Sequence, residues 1–386
     1  MNLSKSSSEF NITEKPSRDR QRVEALLELA DIQVNGNRPW DIQVHDPRFF
    51  SRVLGQGTLG LGESYMDGWW DCQALDVMIA KALRARLDTA IRTSGDFLAV
   101  AWARLKNMQS PARAFHIGEH HYDIGNDLYS RMLDPLMMYS CGYWPDAETL
   151  EQAQVAKLEL IFSKLGLQPG MKVLDIGCGW GGAAWYAARH YGVEVTGITV
   201  SKEQAALAEA RCAGLPVEIR LQDYRELEGR YDSVYSIGMF EHVGVKNYRT
   251  YMRVVSRLLA DDGLFLLHTI GGNTSVNKGD RWVERYIFPN SMLPSSSQIA
   301  RACEGLLVLE DWHNFGADYD RTLLAWHTNF GRSWPELKSQ YNERFCRMWN
   351  YYLLTNAGAF RARDSQLWQI VLSPKGKEGG YRRPRR

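Results

Sequence analysis

The stretch Val173-Leu-Asp-Ile-Gly-Cys-Gly-Trp-Gly-Gly182 decides the fold of this chain. An apolar run enters four glycines, and Ala183-Ala-Trp-Tyr-Ala-Ala188 then opens a helix. Glycines at such a junction permit a tight turn and let a ligand approach the backbone closely. Working outward, apolar runs alternate with helical stretches. The candidate strands are Lys172–Ile176, Glu194–Ile198, Val217–Leu221, Ser233–Ile237 and Leu264–His268, with Leu367–Leu372 as a last strand, antiparallel at the sheet edge. Strands joined by helix-length connections predict a doubly wound, parallel α/β domain. Before it, Val155, Leu158, Ile161, Phe162 and Leu165 mark a helix face that ends at Gly166, with Pro169-Gly170 beyond.

Two kinds of nucleotide ligand compete for the loop. A dinucleotide requires a third glycine to seat the helix and an acid about 20 residues on for the ribose. Here Gly177, Gly179 and Gly181 follow a G-x-G-x-G spacing, which resembles motif I of the class I methyltransferases. Asp175 stands where that family places the acid that orients the donor's amino-acid end. S-adenosylmethionine carries a sulfonium and an α-amino group, so a carboxylate suits it better than a phosphate cradle does. The next strand ends Val195-Thr-Gly-Ile-Thr-Val-Ser201 without the usual ribose acid, leaving Thr199 and Gln204 as polar substitutes. On the plainer reading, Ser201 simply caps the following helix. Gln222 and Asp223 follow the third strand, Asp223 being placed to accept from the adenine amine; an Asp there is otherwise an ordinary turn residue.

The rest of the chain bounds the possibilities. Its 386 residues fit two domains, and a formal net charge of +1 gives no global field toward nucleic acid. No stretch reaches the roughly 18 apolar residues of a membrane span. The six cysteines form no CxxC pair and no metal-like cluster; with a polar start lacking an export signal, they point to a reduced cytosolic protein. Residues 1–22 read as a disordered arm. Residues 23–107 form a smaller mixed α+β region that opens with a helix at Val23–Ala30, then short strands at Asp31–Val34 and Trp40–Val44. Residues 108–120 read as a linker, 121–374 as the catalytic domain and 375–386 as a basic tail, disordered or turned toward anionic lipid.

Longer strings narrow the family. Gly60-Leu-Gly-Glu-Ser-Tyr-Met-Asp-Gly-Trp-Trp-Asp71, His121-Tyr-Asp-Ile-Gly-Asn-Asp127, Tyr139-Ser-Cys-Gly-Tyr143, Gly238-Met-Phe-Glu-His-Val-Gly244, Tyr286-Ile-Phe-Pro-Asn290 and Asp311-Trp-His-Asn-Phe-Gly316 spread over the chain. Together they resemble the bacterial cyclopropane-fatty-acyl-phospholipid synthases from about Val23 to Ser373. The resemblance implies a class I methyltransferase domain with a mostly parallel seven-stranded sheet behind the smaller region. It also implies methylene transfer from S-adenosylmethionine to a cis double bond in a membrane phospholipid, with bound bicarbonate as the base. The bicarbonate positions fall on Cys141, Glu241, His268, Tyr319 and the backbone of Ile270, and the donor's carboxylate end on Tyr139 and Ser140. A homodimer, peripheral on the inner face of the cytoplasmic membrane, is implied as well.

Each residue also has a bland role. Cys141 reads as a small buried hydrophobe, Glu241-His242 as a helix start, His268 as a core histidine and Tyr319 as a partner for Trp326. Glu241 cannot face a bare anion unless that partner is protonated or bridged. Family members carry a cysteine where this chain has Asn356. Two other functions stand beside the synthase: simple methylation of an acyl chain, and a lipid-binding protein that has lost its chemistry. The bicarbonate constellation argues against the first, and the intact loop with Asp175, Glu241 and His268 against the second.

Overall fold

The computed structural model describes residues 17–90 and 125–384. Residues 1–16 of the expected arm, the 108–120 linker and His121–Ile124 of the second string lie outside the described residues. The first helix, α1 (Arg18–Glu28), begins inside the stretch expected to be a disordered arm; the Ser17 hydroxyl accepts from Arg20 N at 3.2 Å and caps it.

Two short strands, β1 (Gln43–Val44) and β2 (Trp70–Asp71), pair antiparallel around α2 (Arg48–Gln56) and α3 (Thr58–Met66). Helices α4 (Leu75–Arg84) and α5 (Leu87–Ala90) follow. The strands expected at 31–34 and 40–44 shrink to one bridge, Val34 to Ile42, and β1. The cause is Asp41. Its buried carboxylate accepts from Gln33 N (2.8 Å) and Arg38 N (2.9 Å), holding the segment in a turn that competes with a ladder. The Arg38 guanidinium keeps that carboxyl at about 2.

After α6 (Asn126–Met132) and α7 (Leu150–Leu165), the large sheet is laid down by β3 (Lys172–Ile176), α8 (Gly182–Tyr191), β4 (Glu194–Thr199), α9 (Lys202–Arg211), β5 (Val217–Leu221), β6 (Tyr231–Ile237), α10 (Tyr248–Leu258) and β7 (Leu259–Gly272). Thr149 and Gln152 form a capping box at the start of α7, and left-handed Gly166 ends it where the sequence places the stop. Then come α11 (Arg281–Tyr286), α12 (Ser296–Cys303), β8 (Val308–Asn314), α13 (Ala317–Leu337), α14 (Glu343–Arg361) and β9 (Ser365–Ser373).

The strand order is β5-β4-β3-β6-β7-β9-β8, with the first five parallel and β9 antiparallel to both neighbours. The seven-stranded, mostly parallel sheet expected from the sequence is present. One placement is corrected: β9 is antiparallel but interior, and the edge is β8, whose polar sequence hides it. The order reverses between β3 and β6, and such a switch point opens a crevice at the strands' carboxyl ends.

The N-terminal region shares a core with the catalytic domain. Phe49, Trp70, Trp282, Trp326 and Trp349 belong to one apolar cluster. Helix α4 meets α14 so closely that a Cβ on Gly358 would stand 2.5 Å from the Asp76 carbonyl oxygen. Ion pairs Arg361–Asp76 and Arg347–Asp71, both 2.7 Å, tie the same seam. The basic tail is laid on the sheet edge: Arg383 pairs with Asp311, and the Tyr381 hydroxyl donates to the Lys164 carbonyl at 3.0 Å.

Candidate active site

A cavity of about 550 Å³ opens at the switch point. Its floor is the loop after β3. Gly177 (φ +89°), Gly179 (+54°) and Gly181 (+78°) all take left-handed backbone conformations that disfavour any side chain. At Gly177 a Cβ would also stand 2.7 Å from Met239 Cβ, so the loop closes on the segment after β6 only with glycine there. Asp175, at the end of β3, is buried with Oδ2 unpartnered, and burial pushes its carboxyl up to about 7. A buried acid of this kind awaits a cationic partner.

Thr199 and Gln204 line the same wall. The Thr199 hydroxyl donates to Gln204 Oε1 at 2.9 Å, which leaves the Gln204 NH2 for a ligand. The Ser201 hydroxyl caps α9 by accepting from Gln204 N, so the bland and functional readings of this turn hold together. Gln222 and Asp223 also face the cavity. Asp223 is buried, with its carboxylate accepting from Arg225 N (2.9 Å) and from Arg225 Nη1 (2.8 Å).

Of the five anion positions, Glu241, Ile270 and Tyr319 line the cavity, whereas Cys141 and His268 are buried behind its surface. Glu241 sits on the turn after β6. Its Oε1 accepts from Ile270 N at 2.7 Å, its Oε2 has no partner, and burial pushes its carboxyl up to about 7. The Ile270 amide is therefore spent on Glu241, and its carbonyl accepts from the Thr269 hydroxyl at 3.1 Å. His268, on β7, is held neutral by burial and by the charges of Lys157 and Lys164. Gln369 Nε2 donates to His268 Nδ1 at 3.3 Å, which puts the ring proton on Nε2, an atom with no partner. Burial drives Cys141 well above the usual thiol range, and its thiol donates to the Gly142 carbonyl. It is a thiol here, not a nucleophile.

Tyr319 packs edge-on to Trp326, with ring centroids 5.9 Å apart, as the bland reading has it, yet it also faces the cavity. Tyr139 lines the cavity, and its hydroxyl donates to the Tyr352 hydroxyl at 2.8 Å. Ser140 lines the cavity. Asp175 Oδ2, Glu241 Oε2 and His268 Nε2 are among the buried side-chain atoms without a partner among the described residues; the Asp175 carboxyl, at the cavity wall, suits a cationic group such as the donor's amino end. Sequence reasoning missed Gln369, which fixes the His268 tautomer. It also missed Thr322, whose hydroxyl accepts from Gly142 N (3.0 Å) and Trp144 Nε1 (2.8 Å).

Beyond the donor loop, Thr58, Leu61, Ile79 and Leu83 of the N-terminal region line the same cavity, facing Tyr351, Thr355 and Phe360 of α14. Of these, Leu61 belongs to the Gly60–Asp71 string, whereas Thr58, Ile79 and Leu83 belong to no sequence motif.

Residues 109–370 match the family model described as mycolic acid cyclopropane synthetase. The chain is 57% identical over 358 residues to the cyclopropane-fatty-acyl-phospholipid synthase of Escherichia coli (strain K12), covering 92% of this chain and 94% of that protein. The chain belongs to the cyclopropane synthase family. It is thus an S-adenosylmethionine-dependent methyltransferase. Among solved structures, the mycolic acid cyclopropane synthase CmaA1 complexed with SAH and CTAB superposes with TM-score 0.62 and 31% identity. It covers 67% of this chain but 97% of its own. Similarly, UmaA of Mycobacterium tuberculosis, an S-adenosylmethionine-dependent methyltransferase, aligns at 33% identity to 65% of this chain and 95% of its own length. Those relatives are accounted for by about two thirds of this chain, whereas the Escherichia coli protein aligns to nearly all of it. Among the described residues, no helix is long and apolar enough to cross a membrane.

Proposed function

We propose that this enzyme transfers a methylene group from S-adenosylmethionine to the cis double bond of an unsaturated acyl chain in a membrane phospholipid. The products are a cyclopropane fatty acyl chain and S-adenosylhomocysteine. The observation that carries this reading is that one continuous cavity joins the glycine loop and Asp175 to an apolar wall from α3, α4 and α14. The near-full-length match to the Escherichia coli phospholipid synthase supports the substrate class.

The donor supplies an electrophilic methyl group. An alkene is a weak nucleophile, so the protein must hold it close and keep the site dry. Tyr139 lies 5.2 Å from Trp326 and 6.2 Å from Phe288 between ring centroids, and Tyr319 lies 4.5 Å from Phe360. These rings exclude water and offer π-faces to positive charge on the acyl chain. Bicarbonate, bound at the set Cys141, Glu241, His268, Tyr319 and Ile270 that the resemblance implies, would supply the base that removes a proton from the transferred methyl, with Cys141 backing the site from behind the cavity surface. His268 Nε2–H and the Tyr319 hydroxyl are donors for such an anion. Glu241, raised to about 7, is part-protonated near neutrality, so its Oε2 can donate as well. That meets the objection that a carboxylate cannot face a bare anion: the proton resides on Glu241 itself.

By resemblance we place the enzyme as a homodimer, peripheral on the inner face of the cytoplasmic membrane, with residues 23–107 docking the bilayer or pairing two subunits. The test is mass spectrometry of unsaturated phospholipid vesicles incubated with labelled donor and bicarbonate. A gain of one CH2 with loss of the olefin is expected. Unchanged lipid would overturn the reading, and a CH2 gain with the olefin retained would replace it with simple methylation.

A further inference from the structure

Helix α7 grips the loop that carries Tyr139, Ser140 and Cys141 with two side chains one turn apart. Gln154 Nε2 donates to the carbonyls of Met138 (3.2 Å) and Ser140 (2.8 Å), and Lys157 Nζ donates to Ser140 Oγ at 2.8 Å. Lys157 is fully buried. Among the described residues it forms no ion pair. Asp134, the acid whose charge it feels, is itself buried and accepts from Leu136 N (2.9 Å) and Met138 N (2.8 Å) instead. A buried ammonium left without a counter-ion is costly, and here the chain supplies only a hydroxyl.

The direction of that hydrogen bond has a chemical consequence. An ammonium donates and cannot accept. Ser140 Oγ must therefore accept from Lys157, and its own proton is free to point elsewhere. Ser140 lines the cavity while Lys157 stands behind the wall. The serine lies beside the end of β6, its Cβ 3.9 Å from where a Cβ on Gly238 would stand.

We propose that Lys157 is a positioning residue: its ammonium turns the Ser140 hydroxyl to donate into the cavity, onto the α-carboxylate of the methyl donor. This rests on the placement of Ser140 at the donor's carboxylate end.

The arrangement is reversible. A neutral Lys157 amine accepts, so Ser140 can then donate to it and turn away from the ligand. Burial brings Lys157 down to about 7, within reach of ordinary pH. The titratable groups that face it are Asp134, Cys141 and His268. Protonated Lys157 favours the anionic end of the ligand, so the contribution from this source is fully present below about 7 and falls as pH rises above it, where binding must take up a proton. Asp175 acts in the opposite sense on the donor's amino group, which is why the comparison is made against a Lys157 variant.

The experiment is calorimetric binding of S-adenosylhomocysteine and of 5′-methylthioadenosine, which lacks the amino-acid end, to the full-length protein. Lys157→Met should weaken S-adenosylhomocysteine about tenfold or more, the scale of a hydrogen bond to a charged group, and 5′-methylthioadenosine less than about twofold. The double variant with Ser140→Ala should lose no more than either single one. The ratio of wild-type to variant affinity should shrink as pH rises from about 6.5 to about 8.5. If Lys157→Met does not fold, Ser140→Ala alone must show the same ligand split and the same pH trend. Equal weakening of both ligands, or a pH-independent ratio, overturns the inference while leaving the methyl-donor reading intact. Wild-type protein that binds no S-adenosylhomocysteine overturns both.

Discussion

At the carboxyl end of β3 the cavity wall is backbone, with glycines in left-handed conformations and a single buried acid, Asp175. At the far end it is side chain: Leu61, Ile79 and Leu83 from the N-terminal region against Tyr351 and Phe360. The first wall is specified residue by residue, because a positive φ or a 2.7 Å clash forbids substitution. The second is specified only in bulk, since apolar surface of about the right volume serves equally well. Recognition of a small charged donor and of a long apolar chain differ in this way. Glu241 and His268 belong to the specified half although the proposed function assigns them to the acyl chemistry, since each keeps one polar atom unpartnered in a buried place.

The largest effect should come from removing Glu241, an ionisable group that both lines the cavity and bonds to β7. Glu241→Gln keeps the size and the acceptor for Ile270 N but replaces a titrating carboxyl with an amide. Turnover should fall by about 10²–10³-fold, in the range for a misplaced proton-handling group. S-adenosylhomocysteine affinity should stay within about twofold, because Asp175 and the glycine loop are untouched. Parallel loss of turnover and affinity would show that Glu241 holds the donor, and would merge the two walls into one.

A middle-sized effect is expected from the bulk-specified wall. Leu83 is half-buried on α4, so Leu83→Trp can narrow the apolar end without overpacking a sealed core. Turnover on vesicles should drop about tenfold, equivalent to about 1.4 kcal/mol of lost or strained apolar contact. Donor affinity measured by calorimetry should not change. Full turnover in this variant would remove the N-terminal region from the acyl path.

How much of this could be read beforehand follows the same division. The β3 loop, the parallel strands and the α7 stop at Gly166 carry local signals, so sequence and structure agree on them to within a few residues. β8 was hidden because Val308-Leu-Glu-Asp-Trp-His-Asn314 is a half-exposed edge strand, with neither the apolar run nor the alternation that marks a strand. Asp41 diverted the N-terminal strands into a turn through side-chain bonds that no periodicity reports. Lys157 was overlooked because a lysine on a helix reads as solvent-facing. The spacing Gln154, Lys157, Ile161, Lys164 puts these residues on one face of α7, and that face is buried. Gln369, on β9 and 101 residues beyond His268 in the sequence, reaches it only through the β7–β9 register.

The smallest effect separates a residue that lines the cavity from one that works in it. Asn356 stands on α14 at the position where the family resemblance allows a cysteine, and it faces the cavity. Its Nδ2 donates to the Tyr352 carbonyl one turn back at 2.8 Å, so the side chain is occupied by its own helix. Thr355 does the same, its hydroxyl donating to the Tyr351 carbonyl at 2.6 Å. Two adjacent polar residues that satisfy their donors internally present little polarity to an acyl chain. Asn356→Cys should therefore change turnover less than about twofold, because a small, weakly polar thiol is tolerated in the same place. The variant should, however, become more sensitive to a thiol-alkylating reagent than the wild-type protein, whose cysteines are all buried, Cys178 alone among them lining the cavity. Inactivation by alkylation would then come from filling the cavity, not from losing a catalytic group. A large gain or loss of turnover before alkylation would place Asn356 with the specified wall instead.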